Sequence, residues 1–150
     1  MRYLTMAILC ITLLQFQSAA QEKKRLSHDD YDHWKTLSGT EISADGEHVL
    51  YVINPQRQDG NLFILNHNAG EQTVVPRGAR AAFSPGNGFA VFHIEPPRDL
   101  VRQAKVEKKK KDDMPKDSLG IFVLSSQQLI KYEDIISYRL PKESSDWLAF

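Results

Sequence analysis

From position 4 to 16 the chain is almost wholly apolar and carries no charge, with Arg2 before it and Gln17-Ser18-Ala19-Ala20 after it. A basic start, an apolar middle and small residues at a cut site are the layout of an export signal, so cleavage is expected after Ala20. That stretch is shorter than the roughly 20 residues a helix needs to cross a bilayer. Gln15, Gln17 and Ser18 close it with polar groups, and no membrane span is expected in the mature chain. Cys10 lies inside the apolar stretch behind Ala7-Ile8-Leu9, without the small residue expected just before a lipidated cysteine.

After a charged leader the period is helical. Tyr31, Trp34 and Leu37 recur every three residues, Ser27 and Asp30 have the spacing of a capping box, and acids fill the first turn where the helix dipole favours them. The pattern predicts a short helix over 27–37, with Gly39 as its stop. From Ile42 the period shortens to two. Runs at 48–53, 61–65, 71–75, 89–94, 120–124 and 147–150 read as strands. Asp45-Gly46, Asp59-Gly60, Asn68-Ala69-Gly70 and Pro85-Gly86-Asn87-Gly88 supply turn residues between them. The result is a meander of antiparallel strands.

The meander repeats. Ile42-Ser43-Ala44-Asp45-Gly46-Glu47-His48-Val49-Leu50-Tyr51-Val52-Ile53 aligns without a gap to Phe83-Ser84-Pro85-Gly86-Asn87-Gly88-Phe89-Ala90-Val91-Phe92-His93-Ile94, 41 residues further on. Each copy is an apolar residue, a serine, a turn and a strand. A period near 40 residues is that of a four-stranded propeller blade, which buries its faces against neighbouring copies. A looser third copy begins at Leu140, 57 residues after Phe83, and the extra 16 residues match the basic segment 99–116. The fold class expected is therefore all-β, a partial β-propeller of two to three blades behind a short helix. Its parts are a signal peptide over 1–20, a leader and helix over 21–41, and blades over 42–150 with an insertion at 99–116.

Charge and composition narrow the chemistry. The precursor balances 19 basic against 19 acidic residues, and loss of Arg2 leaves 18 against 19, so no global field points to nucleic acid. Signal cleavage also removes the only cysteine. Within the insertion, Lys108, Lys109, Lys110 and Lys111 offer weak contacts to anionic partners. Asp112, Asp113 and Asp117 partly cancel their field, and a solvated excursion is the simpler expectation. His28, Asp29, Asp30, Asp32 and His33 are metal-ligating types, but on a helix only Asp29 with His33 or Asp29 with Asp32 share a face. Capping accounts for the acids, and no metal is expected. His48, His67 and His93 are expected as packed or surface residues. Gly-Xaa-Ser-Xaa-Gly, P-loop, dinucleotide and paired-cysteine motifs do not occur in the sequence, so no catalytic, cofactor or metal residue is assigned.

The order of Leu26 to Lys35, the Ile42-Ser43-Ala44-Asp45-Gly46 turn, the Arg102 to Lys111 stretch and Asp112-Asp113-Met114-Pro115-Lys116-Asp117-Ser118-Leu119-Gly120 resembles exported bacterial members of the prolyl oligopeptidase (S9) family of serine peptidases. The likeness runs from about Leu26 to Phe150. It implies a propeller that precedes an α/β-hydrolase domain with a Ser-Asp-His triad and limits its substrates to peptides; none of that triad's motifs matches here. Asp146-Trp147 is similar to the Asp-Trp ahead of amine-binding glutamates in dipeptidyl-peptidase members, but Ala149 and Phe150 do not match those glutamates. The reading expected is an inactive N-terminal portion of an exported peptidase. Residues 147–150 read as a strand begun inside a repeat, so a truncated product, poorly soluble or partly folded alone, is expected. An exported, non-enzymatic propeller-like binding module is the alternative.

Overall fold

The computed structural model describes Lys23, residues 26–143 and residues 147–150; the proposed signal peptide at 1–20 and Asp146 lie outside the described residues. Helix α1, His28–Tyr31, opens it, and the Asp30 carboxylate accepts from the Ser27 backbone N–H at 2.7 Å and from its hydroxyl at 2.9 Å. Two antiparallel four-stranded sheets follow. The first is β1 (Lys35–Ile42), β2 (His48–Pro55), β3 (Asn61–Asn66) and β4 (Glu71–Pro76); the second is β5 (Gly78–Phe83), β6 (Phe89–Ile94), β7 (Ser118–Val123) and β8 (Gln128–Tyr132). Each sheet is a simple meander in chain order. Helix α2, Arg98–Val106, sits in the β6–β7 connection.

The expected partial β-propeller is present as two consecutive blades, and the repeat holds atom by atom. Ser43 N–H donates to the His48 carbonyl at 2.9 Å, and Ser84 N–H to the Phe89 carbonyl at 2.8 Å. The hydroxyl of each serine accepts the backbone N–H that starts the next strand, His48 at 2.9 Å and Phe89 at 3.2 Å. A serine is needed there because both hairpins bury that position and the strand's first donor would otherwise have no acceptor. Both first strands also bulge at the same place, between Ser38 and Glu41 and between Ala79 and Ala82.

The core lies between the sheets. Leu50, Val52, Leu62, Ile64 and Val75 meet Phe83, Ala90, Phe92, Ile94, Phe122 and Leu124. Burial of each large side chain in such a core is worth about 1.5–3 kcal/mol. Because side chains alternate along a strand, Val91 and His93 point to the other face of the second sheet, where Leu119 pairs with His93 and is fully buried. The segment after β8 covers that face: Ile135 N–H donates to the Asp117 carbonyl at 3.2 Å, and Arg139 and Ala149 form an isolated antiparallel bridge.

Three expectations need correction. The helix over 27–37 ends at Tyr31, and Lys35–Ile42 is a strand. Gly39 stops no helix; it occupies the bulge at φ 58°, in the left-handed region that favours glycine. The strand expected over 147–150 is only the single bridge at Ala149. The basic segment also carries more order than a solvated excursion, since α2 buries Ala104. Among the described residues no helix is long and apolar enough to cross a membrane.

Candidate functional site

The two blades share a backbone plan, so positions where they differ in chemistry mark what the second blade has beyond its fold. Gly39, Val52, Asn54 and Gly60 in the first blade correspond to Arg80, His93, Glu95 and Asp117 in the second. These four converge. The Asp117 carboxylate accepts from Arg80 and lies 3.1 Å from His93 Nδ1, and Arg80 also lies 3.8 Å from Glu95. His93 and Asp117 side chains are only 11% and 26% exposed, so this pairing is screened far less than a surface one. The contact with a carboxylate places the imidazole proton on Nδ1.

Arg80 holds φ 51°, the conformation Gly39 takes at the same bulge. For a residue with a side chain that conformation costs roughly 1–2 kcal/mol. Tyr138, from the segment after β8, closes the cluster by donating its hydroxyl to the Arg80 carbonyl at 2.9 Å, with its ring 5.2 Å from that of His93. Burial pushes the Tyr138 phenol above its ordinary value, against the smaller opposing effect of Arg80. The arrangement orients an imidazole and sets one guanidinium between two carboxylates. Among the described residues the contacts of His93 are the Asp117 carboxylate and the Tyr138 ring.

Helix α2 forms the facing wall. Arg98 anchors it: its backbone N–H donates to Asp59 Oδ1 at 3.1 Å, and its guanidinium donates to the carbonyls of Gln56 and Gln58 at 3.3 and 2.8 Å. Arg102 and Lys105 follow at the i+4 and i+7 positions, on the same helical face. Between this face and the blade runs a groove of about 480 Å³, bounded by Val101, Pro96 and Pro115 and reaching Glu95 and Asp117. Lys108, Lys109, Lys110 and Lys111 are exposed beyond the end of α2 and do not line it. Lys109 pairs with Glu107 at 3.2 Å. The Gln103 amide and then Lys109 hold the Glu107 carboxyl below its ordinary value.

The described N-terminal histidines and acids are spread over separate contacts. Asp30 caps α1, Asp32 pairs with Arg57 at 3.0 Å, and the His28 ring rests 5.8 Å from that of Tyr31; the Asp29 side chain lies outside the described residues. A different trio, Asp45, Glu47 and His48, brings ligand atoms within 4.8 Å of one another. Hydrogen bonding argues against a metal there. Asn66 Oδ1 accepts from the Ala69 N–H at 2.9 Å, so its amide nitrogen faces His48 Nε2 at 3.2 Å and donates to it. The imidazole proton is then on Nδ1, a buried atom without a partner. Neither ring nitrogen is left with a free lone pair for an ion. His67 lies in the β3–β4 turn, exposed.

Sequence reasoning placed His93 near a strand and set Asp117 against the lysine run, whereas the structure pairs Asp117 with Arg80 and His93; it did not single out Arg80, Glu95 or Tyr138. Carrying the 41-residue alignment three residues back from Ile42 and Phe83 sets Arg80 opposite Gly39, and that contrast is the readable signal.

Four-stranded meanders packed face to face at a fixed repeat define propeller-type blades. No protein-family model matches the chain, and no curated protein matches it. Among solved structures it is similar to the acylaminoacyl peptidase of Pyrococcus horikoshii, at 12% sequence identity and a TM-score of 0.55. The match covers 81% of this chain and 18% of that one, so the chain spans less than a fifth of its structural neighbour. At that identity the likeness is one of fold.

Proposed function

We propose that this chain supplies the opening blades of the β-propeller of an exported serine peptidase of the prolyl oligopeptidase type. In this reading the blades admit peptides to a hydrolase domain and perform no bond chemistry themselves. The observation that carries it is the pair of blades with the same strand order and the same bulge in the first strand, in a fold similar to part of an acylaminoacyl peptidase. The motif order from Leu26 to Gly120 adds the family resemblance, and the Arg2 to Ala20 pattern adds export. Acyl transfer would come from an activated serine outside these residues.

The test is to express the gene's complete reading frame beside a product ending at Phe150, and to treat both with a fluorophosphonate probe. Labelling of the complete product only, with hydrolysis of short peptides, is expected. Labelling of the 150-residue product, or a complete product that neither labels nor cleaves, would overturn the reading. A second reading, an exported binding module without enzymatic activity, draws support from the charged groove of the second blade. It predicts a complete product with further blades, no labelling and retained ligand binding.

A further inference from the structure

Two departures from the repeat meet at one place. The first is the set Arg80, His93, Glu95 and Asp117, standing where the first blade works with Gly39, Val52, Asn54 and Gly60. The second is the β6–β7 connection, residues 95–117, where the first blade needs only 56–60. The first blade shows that the fold requires neither. They share a groove of about 480 Å³, within the range of small-ligand sites.

From the charges and walls of this groove we infer that it binds a small apolar molecule through an oxyanion, a carboxylate or a phosphate, held by Arg102 and Lys105. The two acids of the groove share one guanidinium, since Arg80 pairs with Asp117 and lies 3.8 Å from Glu95, but Arg98, Arg102 and Lys105 line the same groove, so with Arg80 four cations stand against two acids. Arg98 is spent on the carbonyls of Gln56 and Gln58 and keeps the helix in place. The side chains of Arg102 and Lys105, by contrast, make no hydrogen bond or ion pair among the described residues. Two uncompensated cations one helical turn apart, beside Val101, Pro96 and Pro115, suit an oxyanion with an apolar body. The Arg80–Asp117–His93 cluster holds the opposite wall, so its role is positioning. The groove belongs wholly to the second blade and its insertion, so the inference holds with or without a hydrolase domain.

The experiment titrates the complete expressed protein by calorimetry with N-acetyl-leucine, N-acetyl-leucinamide and inorganic phosphate. The acid should bind at least about tenfold more tightly than the amide, the difference expected when a charge-assisted contact is removed. Binding should weaken with salt, as an exposed cationic site requires. If phosphate competes with the acid, the site reads oxyanions in general; if it does not, the site reads carboxylates, and both results support the inference. R102Q/K105Q should lose about tenfold or more. A quadruple K108Q/K109Q/K110Q/K111Q control should keep binding, and circular dichroism should find both variants folded. Equal affinity for acid and amide, no binding of either anion, or loss confined to the lysine-run control would overturn the inference.

Discussion

Replacing Gly120 with alanine tests the packing of the second blade at its tightest point. In the first blade the corresponding cross-strand pair is Tyr51 and Phe63, whose rings stack in parallel with centroids 4.9 Å apart and a 5° tilt. In the second blade the pair is Phe92 and Gly120, and the fully buried Phe92 ring lies over the glycine. A Cβ at Gly120 would come within 2.1 Å of one ring carbon of Phe92 and 2.7 Å of two others. The ring has nowhere to yield without leaving the core between the sheets. Overpacking of this kind costs about 1–3 kcal/mol, and alanine returns about 0.5–1 kcal/mol by restricting the unfolded chain. The net expectation for Gly120→Ala is a loss of about 1–2 kcal/mol. Urea unfolding of the complete expressed protein, followed by far-ultraviolet circular dichroism, measures it. Adding Phe92→Leu should recover part of the loss, with a coupling of at least about 0.5 kcal/mol between the two sites. A Gly120→Ala variant within about 0.5 kcal/mol of the parent, or strictly additive effects, would refute the account.

Further predictions concern the bulges and the hairpin. Gly39→Ala should cost about 1 kcal/mol, because a methyl-bearing residue is forced to φ 58°. Arg80→Gly should change stability by less than about 1 kcal/mol, because relief of the same conformation offsets the loss of partly exposed ion pairs. Thermal unfolding of both variants checks this, and a loss above about 2 kcal/mol in Arg80→Gly would show that the ion pairs outweigh the strain. The Ser43 hydroxyl, and then the Glu47 N–H, hold the Asp45 carboxyl below its ordinary value of 3.8. A depressed carboxyl stabilises the hairpin above that value, and the contribution is lost as pH falls through the lowered one. Ser43→Ala should return Asp45 towards 3.8, read by carboxyl NMR titration. An unmoved titration would separate the two groups.

What was readable in the chain depended on whether a strand carried its own pattern. His48–Pro55 alternates buried and half-buried positions over most of its length, and its counterpart Phe89–Ile94 is apolar but for His93, so both strands and their 41-residue spacing stood out. Lys35–Ile42 has almost no buried position, and a helical stripe of Tyr31, Trp34 and Leu37 competed with it. Its strand conformation comes from pairing with β2. Gly78–Phe83 is rich in alanine and carries an arginine in its middle, with little intrinsic strand preference, yet it pairs with β6 and buries Phe83 in the core.

By itself, then, the sequence determined the repeat. Serine-turn-strand units and glycine-rich turns act over a few residues, and local hydrogen bonds are enough to specify them. Tertiary structure alone decided the first strand, the order of the insertion and the charged groove. Arg80, His93 and Asp117 lie up to 37 residues apart, and only the closing of β5, β6 and β7 into one sheet brings them within contact distance. That convergence depends on strand register, which is set by pairing across the sheet and not by any short stretch of chain.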